Sequence, residues 1–255
     1  MNKNKNKNKK ILLLSIPLRG HANIPIALAE ELIARGYDCT FGVHKTGMDW
    51  PKQIEGLKVT EDKHDSLIAP NCWRQASLLT GKNPGIKGEK LMGKRMLAWA
   101  QAENYASVKT ILEEVKPDLV ICEKAMIPGM DMAVKFGIPY IEVSDLVSFR
   151  GGNLLKLPAP SSSRSKDLNF WNRIGNLYDL ISLYFAFYPF GVLGQINKMR
   201  RKFKIPVKDH HPLKTSLSIC SSTFGLELPR PTSSSVQLVG PILQKISPLS
   251  EALKN

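Results

Sequence analysis

The sequence predicts an α/β fold, a Rossmann-like parallel sheet flanked by helices. The apolar run ILLLSI at 11–16 is continuous instead of alternating, which suits a strand covered by helices on both faces. A helical pattern and a second strand-like run follow within about 30 residues, the size of one βαβ unit. The same succession returns at 118–144, so we expect a second unit of this kind.

The first unit extends from residue 11 to residue 44. Its helix is predicted to begin near Pro25, because proline at a first helical position loses no hydrogen bond. Gly36 then supplies the left-handed conformation that ends a helix. The segment DCTFGVH at 38–44 predicts the second strand. A loop between residue 16 and Pro25 is therefore expected at the carboxyl end of the first strand.

The middle of the chain predicts one amphipathic helix at 96–115, where Leu97, Val108 and Leu112 recur at helical spacing. The preceding stretch GEKLMGKR at 88–95 approaches a Walker phosphate loop. However, Arg95 replaces the Ser or Thr that would bind magnesium, and no strand precedes the stretch. We therefore expect no phosphate loop there.

The second unit comprises a strand at 118–122, a helix ending at Gly137 and a strand at 140–144. The Pro/Ser-rich stretch at 157–167 predicts a surface loop or a flexible lid.

The carboxy-terminal part predicts one more buried strand within SLSICSSTFGLE at 216–227. The segment 228–243 contains Pro229, Pro231 and Pro241, which exclude a helix, so an extended conformation is expected.

The formal net charge of +14 suits an anionic partner. Part of that charge lies in MNKNKNKNKK at 1–10, which has nothing to pack with and is predicted to be a disordered, solvated tail. The run KMRRKFKIPVK at 198–208 is compatible with a solvated helix face or a phosphate-facing patch, and the solvated face is favoured. Nucleic acid is not an expected partner, since no RNA- or DNA-binding motif accompanies the charge.

The cysteines argue against a zinc site or a disulfide framework and fit a reducing cytosol, because none has CxxC or CxxH spacing. They are Cys39, Cys72, Cys122 and Cys220. The histidines His44, His64, His210 and His211 also lack metal-ligand spacing and are predicted to be surface residues.

The expected location is cytoplasmic. The apolar run at 11–16 is too short for a signal peptide and is followed at once by Pro17. The most apolar window, LYDLISLYFAFYPFGVLG at 177–194, contains Asp179 and Pro189 and is too short to span a bilayer. Shallow peripheral contact with a membrane stays open.

Two ionisable residues are predicted at the same edge of the sheet. His21 follows the first strand by about five residues, and Glu123 directly follows the strand at 118–122. Ligands of open parallel sheets bind outside the carboxyl ends of the strands. If the two strands are neighbours, the carboxylate can accept a hydrogen bond from one ring nitrogen, and the other nitrogen can remove a proton. The pair would then form a general base.

Three blocks of the sequence resemble the UDP-glycosyltransferases. PLRGHANIPIALAEELIARGYDCTF at 17–41 resembles their first β-loop-α-β unit, although Gly20-His21-Ala22-Asn23-Ile24-Pro25 is one residue longer than the commoner Gly-His-x-Asn-Pro. The block at 116–144 resembles the family's PDLVI-acid segment. The block at 221–243 resembles its closing PRP and VGP stretch. All three occur in the family's order, across nearly the whole chain.

This resemblance implies one half of a glycosyltransferase B-type fold, in which the amino-terminal domain holds the acceptor and the carboxy-terminal domain holds the UDP-sugar. It implies that His21 deprotonates an acceptor hydroxyl, which attacks the anomeric carbon with inversion and expels UDP. Glu123 stands where the family has Asp, and its extra methylene is expected to shift and weaken the contact with His21. The expected acceptor contacts are Gly20, Asn23, Met92, Met96 and Ser144.

The implied division is a tail at 1–10, a Rossmann-like acceptor-binding domain at 11–243 and the start of an interdomain linker at 244–255. The family's donor signature, a His-x-Gly loop with later Glu and Asp-Gln residues, is not found, so the donor-binding domain is expected to be absent from this chain. The UDP-sugar is then a substrate, and neither a cofactor nor a metal is expected.

Two functional interpretations stay open. One is the acceptor half of a hexosyltransferase acting on a small, hydrophobic acceptor, present as a fragment, as a truncated gene product or as a subunit completed by a donor-binding partner chain. The other is a non-catalytic module that binds a lipid or another small molecule. Independent turnover by this chain alone is not expected, because catalysis requires that donor and acceptor are held together.

Overall fold

A computed structural model of the chain describes residues 9–62, 87, 102–145, 158, 169–187, 192–206, 217–223 and 232–244. These residues form a parallel sheet flanked by helices, so the predicted α/β fold class is confirmed.

The described residues contribute seven strands to one sheet, all paired in parallel. The strands are β1 (Lys10–Leu14), β2 (Asp38–His44), β3 (Lys58–Asp62), β4 (Leu119–Glu123), β5 (Tyr140–Ser144), β6 (Leu217–Cys220) and β7 (Val236–Leu238). The helices are α1 (Arg19–Ala34), α2 (Ala102–Val115), α3 (Ile127–Phe136), α4 (Phe170–Phe187) and α5 (Val192–Lys202), with short 3₁₀ turns at Lys45–Gly47 and Pro51–Gln53.

The strand order is β3-β2-β1-β4-β5-β6-β7. From β1 the chain proceeds outward to β2 and β3, and it then returns to the other side of β1 to form β4. The direction of winding therefore reverses between β1 and β4, where Leu14 is in register with Cys122. The carboxyl ends of strands at such a switch point border a crevice in which ligands bind.

Both faces of β1 are covered, which explains its unbroken apolar run. Leu12 and Leu14 lie in one core cluster, and Ile11 and Leu13 lie in another, because alternate residues of a strand point to opposite faces. The first cluster adds side chains of α2 and α3, including Tyr105, Val108, Leu112 and Met130. The second adds side chains of α1 and β2, including Ile24, Ile26, Phe41 and Val43.

Helix α3 approaches the sheet closely at Gly129. A Cβ at this position would lie 2.8 Å from both Cys122 Sγ and Leu14 Cδ1, so glycine permits the approach. Gly137, with φ of +67°, then ends α3 as the sequence predicts.

Helix α1 begins at Arg19, so the predicted start near Pro25 is wrong. The amides of His21 and Ala22 already donate to the Leu18 carbonyl, at 3.0 and 2.9 Å. An early start directs Ala22 and Ile24 into the core, and this burial outweighs the one helical hydrogen bond that Pro25 cannot donate. His21 therefore lies in the first helical turn and not in a loop.

The amino-terminal boundary also differs from the prediction. Lys10 begins β1, and its amide donates to Asp118 Oδ2 at 2.8 Å. The Lys9 ammonium donates to Asp118 Oδ1 at 2.9 Å. Lys9 and Lys10 are thus ordered by the sheet, whereas the rest of the predicted tail, residues 1–8, lies outside the described residues.

Arg200, within the basic run at 198–208, is buried, so a solvated face is the wrong interpretation for this residue. Its Nε and Nη2 donate to the two carboxylate oxygens of Asp131, each at 2.9 Å, and the Tyr105 hydroxyl donates to Asp131 Oδ2 at 2.8 Å. His44 is also buried and not at the surface, with its Nδ1 3.0 Å from Thr46 Oγ1.

Several predictions lie outside the described residues. They concern the Walker-like stretch 88–95, Leu97, Cys72, His64, His210, His211 and all of the 157–167 stretch except the single position 158. The predicted strand at 216–227 is confirmed as β6, and the predicted extended segment at 228–243 contains β7.

Candidate active site

His21 and Glu123 meet at the switch point of the sheet. His21 is in the first turn of α1, directly beyond the carboxyl end of β1, and Glu123 is the last residue of β4. The two residues are 102 positions apart in sequence, yet β1 and β4 are adjacent strands. The prediction that imidazole and carboxylate share one edge of the sheet is therefore confirmed.

The contact between them is a close hydrogen bond, with 2.8 Å between His21 Nδ1 and Glu123 Oε1. The expected weakening by the longer Glu side chain is not observed. Glu123 Oε2 accepts a second hydrogen bond from the Ala125 amide at 2.9 Å, which holds the carboxylate in place. Because an ionised carboxylate can only accept, Nδ1 carries the hydrogen and Nε2 carries the lone pair when the ring is neutral.

The two side chains differ in their access to solvent. The Glu123 side chain is 3% exposed, whereas the His21 side chain is 27% exposed. A reactant in the crevice can therefore reach the imidazole but not the carboxylate.

A second ion pair lies next to the first. The Lys124 ammonium contacts the carboxylate of Asp145, the residue that follows β5. The Lys124 amide also donates to the Val143 carbonyl at 2.9 Å, so β4 and β5 hold this residue from its backbone.

These charges set the ionisation of His21. Burial by itself lowers the pKa of His21, but the hydrogen bond and negative charge of Glu123, together with Asp145, outweigh burial and the opposing charge of Lys124. The net result is a pKa raised above the ordinary 6.5. For Asp145, burial alone would raise the pKa, but the contact with Lys124 prevails and lowers it.

Three of the predicted acceptor residues lie in described elements, Gly20 and Asn23 in α1 and Ser144 at the end of β5. Gly20 is exposed beside His21, with open space where a Cβ would stand. Asn23 Oδ1 is buried and has no hydrogen-bond partner within the described part of the chain. Ser144 is buried at the carboxyl end of β5, with its Oγ 3.9 Å from Cys220 Sγ. Met92 and Met96 lie outside the described residues.

Sequence reasoning missed three charged residues at this edge. Arg19 lies 5.6 Å from the centre of the Trp50 ring and donates to Gln244 Oε1 at 3.2 Å. Lys124 and Asp145 form the second ion pair. The rule that located Glu123, position just after a buried strand, could also have found Asp145, whereas the contacts of Arg19 join segments too distant for any local pattern.

Within the described ranges, no His, Cys, Asp and Glu side chains gather in a group of three suited to a metal ion. The helices in those ranges all lack the combination of length and apolarity that a membrane crossing needs.

This parallel sheet, whose winding reverses between β1 and β4, matches the Rossmann-like domains of glycosyltransferase B-type folds. The glycotransferase of kitacinnamycin aligns with a TM-score of 0.60 at 16% identity, covering 93% of this chain and 52% of that protein. The spinosyn forosaminyltransferase SpnP aligns at 0.54 and 16% identity, covering 97% and 55%. SsfS6 from Streptomyces sp. SF2575 aligns at 0.52 and 16% identity, covering 91% and 56%.

The sequence itself resembles one curated glycosyltransferase. It is 25% identical over 133 residues to the NDP-glycosyltransferase YjiC of Bacillus licheniformis, and this match covers 52% of the chain and 32% of the relative. No protein-family model matches the chain. The resemblance to glycosyltransferases is confirmed, and the chain spans about half the length of these solved relatives.

Proposed function

We propose that this chain supplies the acceptor site and the general base of a UDP-glycosyltransferase. The reaction transfers a hexosyl group from a UDP-sugar to a hydroxyl of a small, hydrophobic acceptor. The observation that carries the proposal is the hydrogen bond of 2.8 Å between His21 and Glu123 in the crevice between β1 and β4. The names of the similar proteins, all glycosyltransferases, support the same reaction class.

In this reaction the acceptor hydroxyl donates its proton to His21 Nε2 as its oxygen bonds to the anomeric carbon. The bond from that carbon to the donor phosphate breaks, and UDP leaves with the electron pair. Glu123 does not touch the sugar; it fixes the ring orientation and stabilises the imidazolium that forms. A positioned base is needed because a neutral hydroxyl is a poor nucleophile, and it contributes about 10²–10⁴-fold.

Substrate positions follow from the surroundings of His21. The open space beside Gly20 gives the acceptor a route to the imidazole. Ser144 borders the site from β5. The predicted division, with an acceptor domain at 11–243 and a linker from residue 244, is part of this proposal.

The UDP-sugar is bound mainly by a donor domain, in the same gene product or in a partner chain. This part of the proposal is supported by the coverage of about half of each similar structure. The competing proposal is a non-catalytic module that binds a small molecule or a lipid in the same crevice, and the same partial coverage supports it.

The test uses the purified 255-residue chain, alone and mixed with candidate donor-binding chains, with UDP-glucose and a series of substituted phenols of falling pKa. His21→Ala should reduce transfer by about 10²–10⁴-fold for the least acidic phenol. The loss of transfer rate caused by His21→Ala should become smaller as the phenol becomes more acidic, because a more acidic hydroxyl depends less on a general base. Arg35→Ala, which alters the far end of the same helix, is the matched control.

Each outcome decides between the two functions. Transfer that depends on His21 in this graded way supports the general base. Phenol binding without transfer, in mixtures whose donor-binding chain does bind UDP, supports the binding module. An equal deficit of His21→Ala for all phenols would exclude proton abstraction by His21.

A further inference from the structure

Helix α4 presents an apolar surface to solvent. Eight large side chains on one side of it are between 45% and 75% exposed: Phe170, Trp171, Ile174, Leu177, Tyr178, Ile181, Tyr184 and Phe185. We call this set the outer face of α4. On the opposite side Asn176 and Leu183 are buried. Amphipathic helices normally bury the apolar side, so a contiguous exposed apolar face of this size indicates an interaction surface.

The outer face has nearly the same composition when read from either end. Phe170 corresponds to Phe185, Trp171 to Tyr184, Ile174 to Ile181 and Leu177 to Tyr178. The centre of this near-palindrome lies between Leu177 and Tyr178. In a two-fold interface the same patch must complement itself, and this arrangement places apolar side chains of similar kind opposite one another across the axis.

We propose that the outer face is a dimer interface, in which α4 packs antiparallel against α4 of a second copy of this chain. The two-fold axis passes between Leu177 and Tyr178, so Ile174 of each copy faces Ile181 of the other. This inference is independent of the proposed function.

The spacing along the helix fits helix-to-helix packing. Phe170, Ile174, Leu177, Ile181 and Tyr184 are separated by four, three, four and three residues, which is the spacing of a coiled-coil seam. Trp171, Tyr178 and Phe185 recur every seven residues beside that seam.

The available area is sufficient for a stable dimer. An aromatic side chain can bury about 150–250 Å², so the five aromatic side chains of the outer face expose about 650 Å² per copy, to which Ile174, Leu177 and Ile181 add. A standard specific interface buries about 800 Å² per partner.

The charges favour a second copy over a lipid surface. Between Phe170 and Phe185 the outer side carries one charged residue, Arg173. In the antiparallel pair the two Arg173 positions stand about 13 Å apart along the axis, beyond the Debye length of about 8 Å at physiological salt. Helices that lie on membranes have a polar face rich in Lys and Arg. Here the opposite side is packed on the chain itself and carries Asn176 and Asp179.

The experiment measures the molar mass of the full chain by sedimentation equilibrium across a range of concentrations. The expected result is a monomer–dimer equilibrium. Ile174→Glu places a charge in the centre of each half of the interface and should weaken dimerisation by about 100-fold or more. Leu243→Glu is the matched control, since it changes a residue that is 75% exposed away from α4 and should leave the equilibrium unchanged.

A second substitution tests the orientation of the helices. Adding Ile181→Lys to Ile174→Glu places opposite charges across both halves of the antiparallel pair, and dimerisation should recover. A parallel pair would instead place like charges opposite each other and would not recover. Circular dichroism confirms that each variant is folded.

Three results would overturn the proposal: a chain that is monomeric up to about 100 µM, a dimer that Ile174→Glu does not weaken, or failure of the double variant to recover. Vesicles containing phosphatidylserine test the competing assignment, in which the outer face of α4 binds a lipid surface. Salt-sensitive vesicle binding by a monomer, lost in Ile174→Glu and not regained in the double variant, would assign the face to a membrane.

Discussion

Two ion pairs join distant parts of this chain, and they differ in how far the cationic partner is exposed to solvent. Arg200 and Asp131 share two hydrogen bonds of 2.9 Å, and Tyr105 donates a third to the same carboxylate. His21 and Glu123 share one hydrogen bond of 2.8 Å. The side chains of the first pair are 8% and 1% exposed, whereas His21 is 27% exposed.

The difference separates a structural contact from a chemical one. Asp131 belongs to α3 and is buried against Tyr105 of α2 and Arg200 of α5, so its hydrogen bonds hold these three helices together. Glu123 is equally buried, but the ring it orients is accessible from the crevice. A buried carboxylate therefore indicates a reactive group when its partner remains within reach of a ligand.

The sharpest test of the structural pair is Arg200→Met. This change leaves Asp131 buried without its cation, so the free energy of unfolding should fall by about 3–5 kcal/mol. Urea unfolding followed by circular dichroism measures the loss. The neighbouring exposed Arg201→Met should change stability by less than about 0.5 kcal/mol. Equal effects of the two substitutions would contradict the structural role.

Glu123→Gln tests the chemical pair. Transfer should fall by about 10²-fold, because the ring loses the charge that stabilises its protonated form. The free energy of unfolding should fall by about 1–3 kcal/mol, because the glutamine amide oxygen replaces only one of the two acceptor oxygens that serve His21 Nδ1 and the Ala125 amide. A stability loss as large as that of Arg200→Met would show that the two pairs are alike.

The same variant has a defined effect on pH dependence. Because the pKa of His21 is raised above 6.5, the pair's stabilisation is complete below 6.5 and is lost as the pH rises through that higher value. The rate of transfer should instead increase as the pH rises, since only the neutral ring accepts a proton. In Glu123→Gln the rising limb of the rate profile should move to lower pH. An unmoved limb, or an unmoved imidazole titration by NMR, would contradict the assignment.

The last comparison concerns Gly129 in α3 and Gly20 in α1, which differ in the space available for a Cβ. Gly129→Ala should destabilise the chain by about 1–3 kcal/mol, because the new Cβ would overlap Cys122 and Leu14. Gly20→Ala meets no atom within 4 Å and should stabilise the helix by up to about 1 kcal/mol. If Gly20→Ala also raises the KM for the acceptor, the open space is used in binding; an unchanged KM would place the acceptor elsewhere.

Sequence patterns predicted the regular elements well where local physics dominates. The bounds of β2 and β5 match the predicted 38–44 and 140–144, because β-formers bounded by turn residues define a strand locally. The start of α1 was wrong, because burial of Ala22 and Ile24 outweighs the local preference of Pro25.

The candidate site was predictable only as far as it depends on local features of the sequence. The positions of His21 and Glu123 near strand ends are local features. Their contact depends on β1 and β4 being neighbours, which no local pattern specifies. The Arg200–Asp131 pair, 69 residues apart, could not be found in this way, and its basic segment was interpreted as solvated.

By itself, the sequence determined that strands and helices alternate along the chain and that the first strand is buried on both faces. It also determined that an imidazole and a carboxylate lie near strand ends. The tertiary structure alone decided which residues meet: the strand order joins His21 to Glu123, and helix packing joins Arg200 to Asp131. The physical reason is that strand and helix patterns arise from neighbouring residues, whereas contacts at the crevice arise from pairing between segments about 100 positions apart.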